Sequence, residues 1–380
     1  MDWKSHARRL ADGIVRTDSR WHDPLSQTPR HLFVPRWWER TKEGRVVCDG
    51  AADTETWLRA AYRDDTLVTR LGPLHADDTA AGTVAQGRPT SSSTLPTLVV
   101  MMYRNAAITY DSDVLVTTGS GYGTALLSRW LPEAQVTSVD VDPYLVEVAQ
   151  ERLKLINLAP DMAVCDLTGE LPDRYDRIVS TVSVPSVPVS WLTALKPGGR
   201  LVTTLAGTGL IVVADKTKDG GAAGYVAEGK AAFMAARHGD DYDDAPEDAG
   251  LWETAQHADG ESVTTGRYPL TYVPDTWDVR STLELLAPGI DHRQHTGDDR
   301  QRTVYMLHAD GSWARATSPS ARELPTVHQG GPRRLWDELD RIRTWLVMDG
   351  DLPVSGAAVR VDPDGAVTFS RRGWSATIPA

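Results

Sequence analysis

Three closely spaced glycines form a candidate ligand-binding turn. Gly119, Gly121 and Gly123 follow the apolar run at residues 114–116, so they occupy a predicted turn between a strand and a helix. Glycine at such a turn lets a ligand lie against bare backbone. The G-x-G-x-G spacing differs from the G-x-G-x-x-G of dinucleotide-binding turns. Two ligands therefore stay open: the pyrophosphate of a dinucleotide and the methionine part of S-adenosylmethionine (SAM).

Two carboxylates stand at the predicted ends of the next strands. Asp140 ends the segment QVTSVD, and Asp166 follows a third strand. A carboxylate in the first position can accept hydrogen bonds from both ribose hydroxyls, which serves SAM and NAD alike. A carboxylate in the second position is placed to meet an adenine amino group. Together with the later turn KPGG, the two acidic positions favour SAM.

A run of hydroxyl side chains occupies residues 91–94, directly before a helical pattern that starts at Leu95. Hydroxyl and N–H groups at a helix start attract an anion, such as a carboxylate. Transfer of a methyl group to a carboxylate needs no general base, because the carboxylate is already ionised at neutral pH. Thr94 has a second interpretation as the cap of the helix, and the two roles are compatible.

The elements that must position these residues alternate between strands and helices from about residue 94 to 235. Strands are predicted at VLVTT, QVTSVDV, DRIVSTV and RLVTTLA. Asp142 and Pro143 predict a helix start, since Asp is a favoured N-cap and Pro a favoured first helical residue. Such alternation predicts βαβ units and a parallel sheet.

The chain divides into four predicted regions. Residues 1–90 show helix and loop patterns with few strand signals, and residues 91–236 form the α/β core. Residues 237–250 are charged and contain proline, which is typical of a linker. Residues 251–380 predict a C-terminal α+β extension, with Asp-Gly hairpins and an amphipathic helix along RRLWDELDRIRTWLVMDG.

Composition limits the classes of function. The 380-residue chain carries a formal net charge of −12, which argues against extended contact with nucleic acid. No apolar stretch approaches the roughly 20 residues that cross a bilayer, and the segment MDWKSHARRL shows no secretory signal. We therefore expect no membrane partner and a cytoplasmic location. The 2 cysteines stand far apart and predict reduced thiols. His292 and His295 are the closest histidine pair and have no further ligand nearby, so no metal site is predicted.

Several segments together resemble one protein family. The segments PRHLFVP, AYRDDTLVT, SSSTLP, GSGYGTALL, VTSVDVDPYL, YDRIVSTV and LKPGGRLVTT occur in the order seen in protein-L-isoaspartate O-methyltransferases. The resemblance covers roughly residues 25–235. It implies the class I SAM-dependent methyltransferase fold, an α/β fold with a Rossmann-like, mostly parallel sheet, here with an N-terminal helical region and a C-terminal α+β extension. It also implies SAM as the cofactor and S-adenosylhomocysteine as its product.

The resemblance further implies which residues form the site. Cofactor-binding residues are expected at Thr118, Gly119, Ser120, Gly121, Tyr122, Asp140, Val141, Asp166 and Leu167. Substrate-binding residues are expected at Arg30, Phe33, Val34 and Ser92. The first three belong to the segment PRHLFVP, which closes over the peptide backbone in members of the family. Thr94, assisted by Ser93, is expected to hold the acceptor carboxylate as the catalytic group. Phe33 and Val34 also suit a role in core packing.

Within the family, the chain looks closest to the actinobacterial branch encoded beside ribosomal peptide precursors, such as lanthipeptides, graspetides and lasso peptides. Members of that branch methylate an aspartate of the modified, macrocyclic precursor peptide. The ester cyclises to a succinimide (aspartimide), which persists or opens to isoaspartate. They carry C-terminal extensions, so residues 251–380 are expected to recognise the peptide. The expected partner is that precursor peptide, and the expected oligomeric state is a monomer.

Departures from the family pattern bear on two alternatives. Thr117 and Leu115 replace a glycine and an acidic residue, so one cofactor contact is missing or differently made. This difference favours the alternative of a non-catalytic module that binds modified peptides, whereas the intact Asp140, Gly119 and Gly121 argue against it. The segment TLPT at residues 94–97 stands where the repair enzymes have Ser-Ala-Pro-His. This second difference argues against the other alternative, a general enzyme that repairs isoaspartyl residues in damaged proteins.

Overall fold

The computed structural model of the chain describes residues 2–239, 250–297, 301–320 and 323–380. Its helices are α1 (Trp3–Ile14), α2 (His22–Gln27), α3 (Thr54–Ala61), α4 (Pro96–Asn105), α5 (Tyr122–Ser128), α6 (Pro143–Lys154), α7 (Val189–Ala194), α8 (Leu251–His257), α9 (Trp277–Leu286) and α10 (Leu335–Asp349). Its strands are β1 (Arg36–Arg40), β2 (Arg45–Asp49), β3 (Leu67–Leu71), β4 (Leu74–His75), β5 (Val84–Ala85), β6 (Pro89–Ser93), β7 (Val114–Thr117), β8 (Val136–Asp140), β9 (Asp161–Val164), β10 (Tyr175–Val184), β11 (Leu195–Leu205), β12 (Ile211–Lys216), β13 (Ala222–Val226), β14 (Ser262–Thr265), β15 (Asp291–Thr296), β16 (Arg302–Leu307), β17 (Trp313–Ser318), β18 (Thr326–Gly330), β19 (Ala358–Val361), β20 (Val367–Arg371) and β21 (Trp374–Ile378). Most of the predicted linker at 237–250 lies outside the described residues.

The N-terminal region contains a sheet that the sequence patterns do not predict. β1 to β6 form an antiparallel sheet in the order β4-β3-β1-β2-β5, and β6 also pairs with β3. These strands are short and depend on distant partners; Arg36 at the start of β1, for example, binds Asp49 at the end of β2. The prediction of a helical region over residues 1–90 is therefore wrong in part. Strands this short carry too little alternation to be recognised from local sequence.

The central sheet contains the predicted parallel strands. Its order is β21-β20-β19-β13-β12-β11-β10-β7-β8-β9, and the strands from β9 to β11 in this order run parallel. The chain moves outward from β7 to β8 and β9, then returns to the other side of β7 with β10. This reversal of strand order creates a crevice at the carboxyl ends of β7 and β10, where open α/β sheets bind their ligands. The strand order thus indicates that a ligand-binding site lies at the carboxyl ends of β7 and β10.

Both faces of this sheet are covered, which explains the apolar strand sequences. On β7, Leu115 packs into one core, whereas Val114 and Val116 pack into the core on the opposite face. This division follows the two-residue period of a strand. Parallel sheets need helices on both faces, so their strands become almost continuously apolar. The run at 114–116 therefore reflects burial on both sides.

Helix α6 begins as the sequence predicts. The Asp142 side chain accepts a hydrogen bond from the Tyr144 backbone N–H at 3.0 Å, and Pro143 is the first helical residue. The helix therefore starts two residues after Asp140, the last residue of β8. This sharp start holds the strand end and the helix start next to each other at the crevice.

The C-terminal region does not form a separate domain with a boundary at residue 251. β14 to β18 do form their own antiparallel sheet, in the order β14-β18-β17-β16-β15. β19 to β21 instead join the central sheet, because β19 pairs with β13, for example Tyr225 opposite Ala358. One hydrophobic core also runs from Leu115 in the methyltransferase-like part to Trp336 and Phe369 in the extension. The predicted domain 251–380 is thus corrected: its last strands complete the central sheet.

Candidate functional site

A cavity of about 490 Å³ opens at the carboxyl ends of the central strands. Its walls come from the N-terminal sheet, the glycine loop, the ends of β8 and β10, and the extension. Among the residues predicted for the site, the lining includes Ser92, Thr94, Gly119, Asp140, Val141 and Leu167. The structure therefore brings part of the predicted cofactor-binding set and part of the predicted acceptor-binding set to one cavity.

The glycine loop fits closely between its neighbours. Gly119 and Gly121 have φ angles of +50° and +86°, in the left-handed region that favours glycine. A Cβ atom on Gly121 would lie 2.9 Å from the Ala149 Cβ atom of α6, so a side chain is excluded there. A Cβ atom on Gly119 would lie 3.4 Å from the Ser92 carbonyl oxygen. The loop is thus packed directly against the segment that carries the hydroxyl side chains.

Asp140 is held rigidly at the end of β8. Its carboxylate accepts hydrogen bonds from the backbone N–H groups of Gly119 at 3.0 Å and Asp142 at 3.2 Å. Burial raises the pKa of Asp140 to about 6, and the Gly119 N–H group and the Arg237 guanidinium oppose this rise. A carboxylate so oriented can accept further hydrogen bonds from a ligand hydroxyl, and such donors favour its ionised form.

Thr117 occupies the position where the family pattern has a glycine. Its hydroxyl lies 2.5 Å from the Thr181 hydroxyl and accepts a hydrogen bond from the Thr181 backbone N–H at 3.0 Å. Both threonines line the cavity, at the point where β7 and β10 diverge. The departure from the pattern therefore ties the end of β7 to β10 and adds polar groups to the wall.

Two hydroxyl groups in the wall are available to a ligand. The Thr94 and Ser92 side chains form no hydrogen bond with any residue that the structure describes. Thr94 does not cap the following helix, because α4 begins at Pro96 and Leu95 holds the cap position. Asp64 acts as the cap instead and accepts a hydrogen bond from the Thr97 backbone N–H at 2.9 Å. The capping interpretation of Thr94 is therefore wrong, and its hydroxyl is left for another partner.

Arg30 does not reach the cavity but fixes the segment that does. Its side chain is fully buried. Its guanidinium donates to five backbone carbonyl oxygens at 2.8–3.2 Å, those of Ala61, Arg63, Asp65, Ser93 and Thr94. The Tyr122 ring lies 5.4 Å from the guanidinium carbon. Arg30 is thus a positioning residue for Thr94, and its predicted direct contact with substrate is corrected.

Four further predicted residues are buried away from the cavity lining. Phe33, Val34 and Tyr122 are 0%, 0% and 2% exposed and pack in the cores, as the alternative interpretation of the first two has it. Ser93 is 1% exposed and does not line the cavity, whereas its neighbours Ser92 and Thr94 do. A direct role for these four residues is therefore not supported by their placement.

The remaining predicted cofactor residues support the site from outside the lining. The Thr118 hydroxyl pairs with the Ser138 hydroxyl at 2.8 Å beneath the loop. Ser120 is buried, and its hydroxyl accepts a hydrogen bond from the Tyr122 backbone N–H at 3.4 Å. The Asp166 carboxylate binds the His238 ring at 2.9 Å. Desolvation raises the pKa of Asp166, but hydrogen bonds from His238 and Thr168 together outweigh it and hold this pKa below its usual value.

A large part of the cavity wall consists of residues that the sequence patterns do not predict. Residues 230–237, called the crossing segment here, run over the carboxyl end of β10 and line the cavity throughout. Ser183 anchors this segment, since its N–H donates to the Met234 carbonyl and its carbonyl accepts from the Ala236 N–H, both at 2.8 Å. Helix α9 contributes Trp277 and Arg280 to the same wall. Neither region has a local motif, so only the tertiary structure reveals its role.

Within the described ranges, no helix is both long and apolar enough to span a bilayer. The same ranges contain no group of three or more His, Cys, Asp or Glu side chains that could hold a metal ion.

The strand order, the glycine loop and the adjoining carboxylate define the class I SAM-dependent methyltransferase fold. A solved structure titled protein-L-isoaspartate O-methyltransferase shares this fold with a TM-score of 0.50 and 17% sequence identity. The similarity covers 99% of this chain and 98% of that one, so it includes the C-terminal extension.

Sequence comparison identifies the family. The family model for protein-L-isoaspartate(D-aspartate) O-methyltransferase (PCMT) matches residues 75–236. The protein-L-isoaspartate O-methyltransferase of Ignicoccus hospitalis is 35% identical over 185 residues, which cover 47% of this chain and 70% of that protein. The enzyme of the same name from Azorhizobium caulinodans is 36% identical over 151 residues, which cover 39% of this chain. The chain therefore belongs to the protein-L-isoaspartate O-methyltransferase family.

The matched region is only part of most of these relatives. The chain spans 65% of the Azorhizobium caulinodans protein, 47% of the one from Thermotoga maritima and 51% of the one from Myxococcus xanthus.

We predict that replacing Arg30 by lysine destabilises the protein by about 2–4 kcal/mol, because a lysine with three donors leaves buried carbonyl groups unsatisfied. Urea unfolding would measure this loss. Arg16→Lys is the matched control, since Arg16 forms an exposed ion pair with Asp18 and exposed pairs contribute little to stability. Equal stability of the two variants would contradict the assigned role of Arg30.

Proposed function

We propose that the protein is a SAM-dependent carboxyl O-methyltransferase that esterifies an aspartyl or isoaspartyl carboxylate of a peptide. The observation that carries this proposal is a shared cavity: Asp140 and Gly119 line it together with Ser92 and Thr94, whose hydroxyls bond to no described residue. The contact between Gly119 and the Ser92 carbonyl region supports a short path between the two halves of the site. Family membership supports the same chemistry.

The cofactor half of the cavity suits SAM. Asp140 would accept hydrogen bonds from the ribose hydroxyls, and the bare backbone at Gly119 would lie against the methionine part. Val141, Leu145 and Leu167 offer an apolar surface to the adenine ring. SAM supplies an activated methyl group on its sulfonium sulfur and leaves as S-adenosylhomocysteine.

The acceptor half needs to orient a carboxylate without protonating it. Thr94 and Ser92 would donate hydrogen bonds to one carboxylate oxygen and leave the other free to attack. Correct alignment of this kind can contribute roughly 7–11 kcal/mol of the barrier, so no general base is needed. Arg30 holds the backbone carbonyl of Thr94 and thereby keeps the hydroxyl in place.

The substrate that we favour is an aspartate in a ribosomally made, modified precursor peptide. The Thr97 hydroxyl, at the position of the family's histidine, is bonded to Asp64 at 2.5 Å and does not line the cavity. The extension contributes Trp277 and Arg280 to the cavity wall, which supports a part for it in peptide recognition. Esterification would let the next backbone nitrogen displace methanol and close an aspartimide, which can then hydrolyse to isoaspartate.

Repair of isoaspartyl residues in damaged proteins is the second candidate. The relatives carry the corresponding name, and a solved structure of that name shares the fold over the extension as well. The presence of an extension therefore does not separate the two functions. The two functions differ in the carboxylate that is methylated, so the peptide substrate must distinguish them.

Intact-mass spectrometry with SAM and two peptides would test the proposal. One peptide would carry a single isoaspartyl residue, and the other would be a ring-bearing peptide with an ordinary aspartate. Gain of a methyl group and then loss of methanol on the ring-bearing peptide alone is the expected result. Turnover of the isoaspartyl peptide alone would identify a repair enzyme. Binding of SAM by calorimetry without any methyl transfer would overturn the enzymatic proposal.

The binding of S-adenosylhomocysteine should weaken as Asp140 becomes protonated. Because the pKa of Asp140 in the free protein is about 6, the ionised fraction, and with it the affinity, should fall about tenfold between pH 7 and pH 5. Calorimetric titration across this range would measure the change. Asp140→Asn should bind weakly at pH 7 with little dependence on pH. Asp166→Asn is the control and should keep the dependence; its loss in that variant would assign the titration to the Asp166–His238 pair.

Removal of the Thr94 hydroxyl should slow methyl transfer. We expect Thr94→Val to lower kcat by about 10²-fold, in the range found for loss of one donor that orients charge at a reacting centre. The KM for SAM should stay unchanged, because Asp140 and the glycine loop are intact. Thr97→Val is a matched control with the same side-chain change outside the cavity lining. Equal kcat values for the two variants would exclude the role of Thr94.

A further inference from the structure

The charged groups of the cavity wall are unequally satisfied. Among the described lining residues, the charged side chains are Asp140, Lys230, Arg237 and Arg280. Asp140 accepts two backbone hydrogen bonds, and Arg237 donates to the Gly239 carbonyl at 2.8 Å and lies 3.7 Å from the Asp142 carboxylate. The side chains of Lys230 and Arg280 form neither a hydrogen bond nor an ion pair with any residue in the described ranges.

Two carboxyl groups lie close enough for these cations to influence them, but neither forms an ion pair with them within the described ranges. Glu284, one turn after Arg280 on α9, has a pKa that burial raises and that Arg280 lowers in part, and its carboxylate accepts a hydrogen bond from the Gly289 backbone N–H at 3.0 Å. Asp278 is the carboxyl group whose pKa responds to Lys230, and burial is the larger influence and raises that pKa. Two cations beside a cavity therefore remain available in a chain with a net charge of −12, whose overall field repels acidic molecules.

The backbone that carries Arg280 is firmly anchored. The neighbouring Val279 and Leu283 are 5% and 1% exposed and belong to the large core. The Ser281 hydroxyl donates to the Thr208 carbonyl at 2.5 Å, which fixes α9 to the loop between β11 and β12. A Cβ atom on Gly209 would lie 3.3 Å from the Trp277 indole nitrogen, so helix and loop are in close contact. Arg280 is thus presented to the cavity from a rigid element.

We propose that Arg280 and Lys230 bind a second carboxylate of the peptide substrate, separate from the carboxylate that receives the methyl group. A guanidinium group matches a carboxylate through two parallel hydrogen bonds, and the lysine adds a mobile charge at the cavity edge. The inference rests on the proposed function and specifies its substrate class: peptides that carry an acidic side chain or a free C-terminal carboxylate near the acceptor. The extension would then select substrates by charge.

Kinetics with matched synthetic peptides would test this assignment. Each peptide would contain the acceptor residue that the mass-spectrometric experiment identifies. A nearby residue would be Glu or Gln, and the C-terminus would be either a free carboxylate or an amide. Arg280→Gln should raise the KM of the peptide with the recognised carboxylate by about tenfold or more, with little change in kcat or in the KM for SAM. The KM of the peptide that lacks this carboxylate should be the same for the wild-type protein and Arg280→Gln. Comparison of the Glu/Gln pair with the free and amidated C-termini identifies whether the recognised carboxylate is a side chain or the C-terminus.

Several controls separate this role from a structural one. Arg341→Gln changes an exposed arginine of α10 outside the cavity and should leave all constants unchanged. Lys230→Gln changes an exposed side chain and should reproduce part of the Arg280 effect without any risk to folding. Arg280→Glu should reverse the preference and favour a peptide with Lys in place of Glu. An equal change for acidic and neutral peptides, or no change for either, would overturn the proposal.

Failure of the proposed function would be recognised separately. If the isoaspartyl and ring-bearing peptides accept no methyl group, calorimetric binding of their Glu and Gln versions to the wild-type protein and to Arg280→Gln still measures the charge preference. Preferential binding of the Glu version that disappears in the variant would support the site in the absence of turnover. Equal binding of the two versions would exclude it.

Discussion

A single buried guanidinium connects the parts of the protein on which the site depends. Arg30 lies in the N-terminal region, yet its hydrogen bonds gather the chain after α3 and the end of β6, and its charge faces the Tyr122 ring at the start of α5. Burial lowers the pKa of Arg30, but an arginine remains charged in proteins. Such a charge must be surrounded by polar groups, and here backbone carbonyls supply them. The placement of the hydroxyl segment and of the glycine-loop helix thus follows from the need to solvate one cation.

The central sheet applies a comparable constraint to the other side of the cavity. The reversal of strand order at β7 and β10 creates the crevice. Helix α9 of the extension forms part of the crevice wall. Because the core beneath α9 is continuous with the core around Leu115, the extension and the methyltransferase-like part stabilise each other. The cavity wall is therefore assembled from regions far apart in the sequence, and its shape depends on the complete fold.

Local patterns predicted the parts of the fold whose determinants are local. The βαβ units, the start of α6 at Asp142 and Pro143, and the hairpin between β16 and β17 are confirmed, since each depends on strand period, capping or turn chemistry. The N-terminal sheet and the return of β19 to the central sheet depend on pairing between distant segments, which such patterns do not encode. The site shows the same division: Asp140 and Gly119 carry a motif, whereas Arg280 is one arginine among many until the fold brings it to the cavity.

The pairing of β13 with β19 has a consequence for biosynthesis. β13 can complete its hydrogen bonds only after the ribosome has made α8 to α10 and β14 to β18. Until then the nascent chain exposes an unpaired strand edge, which is a template for association with other chains. Pairing over such a distance along the chain also slows folding, because the loop must close before contacts compensate for its entropy. The edge of β13 therefore stays unpaired until β19 has been made.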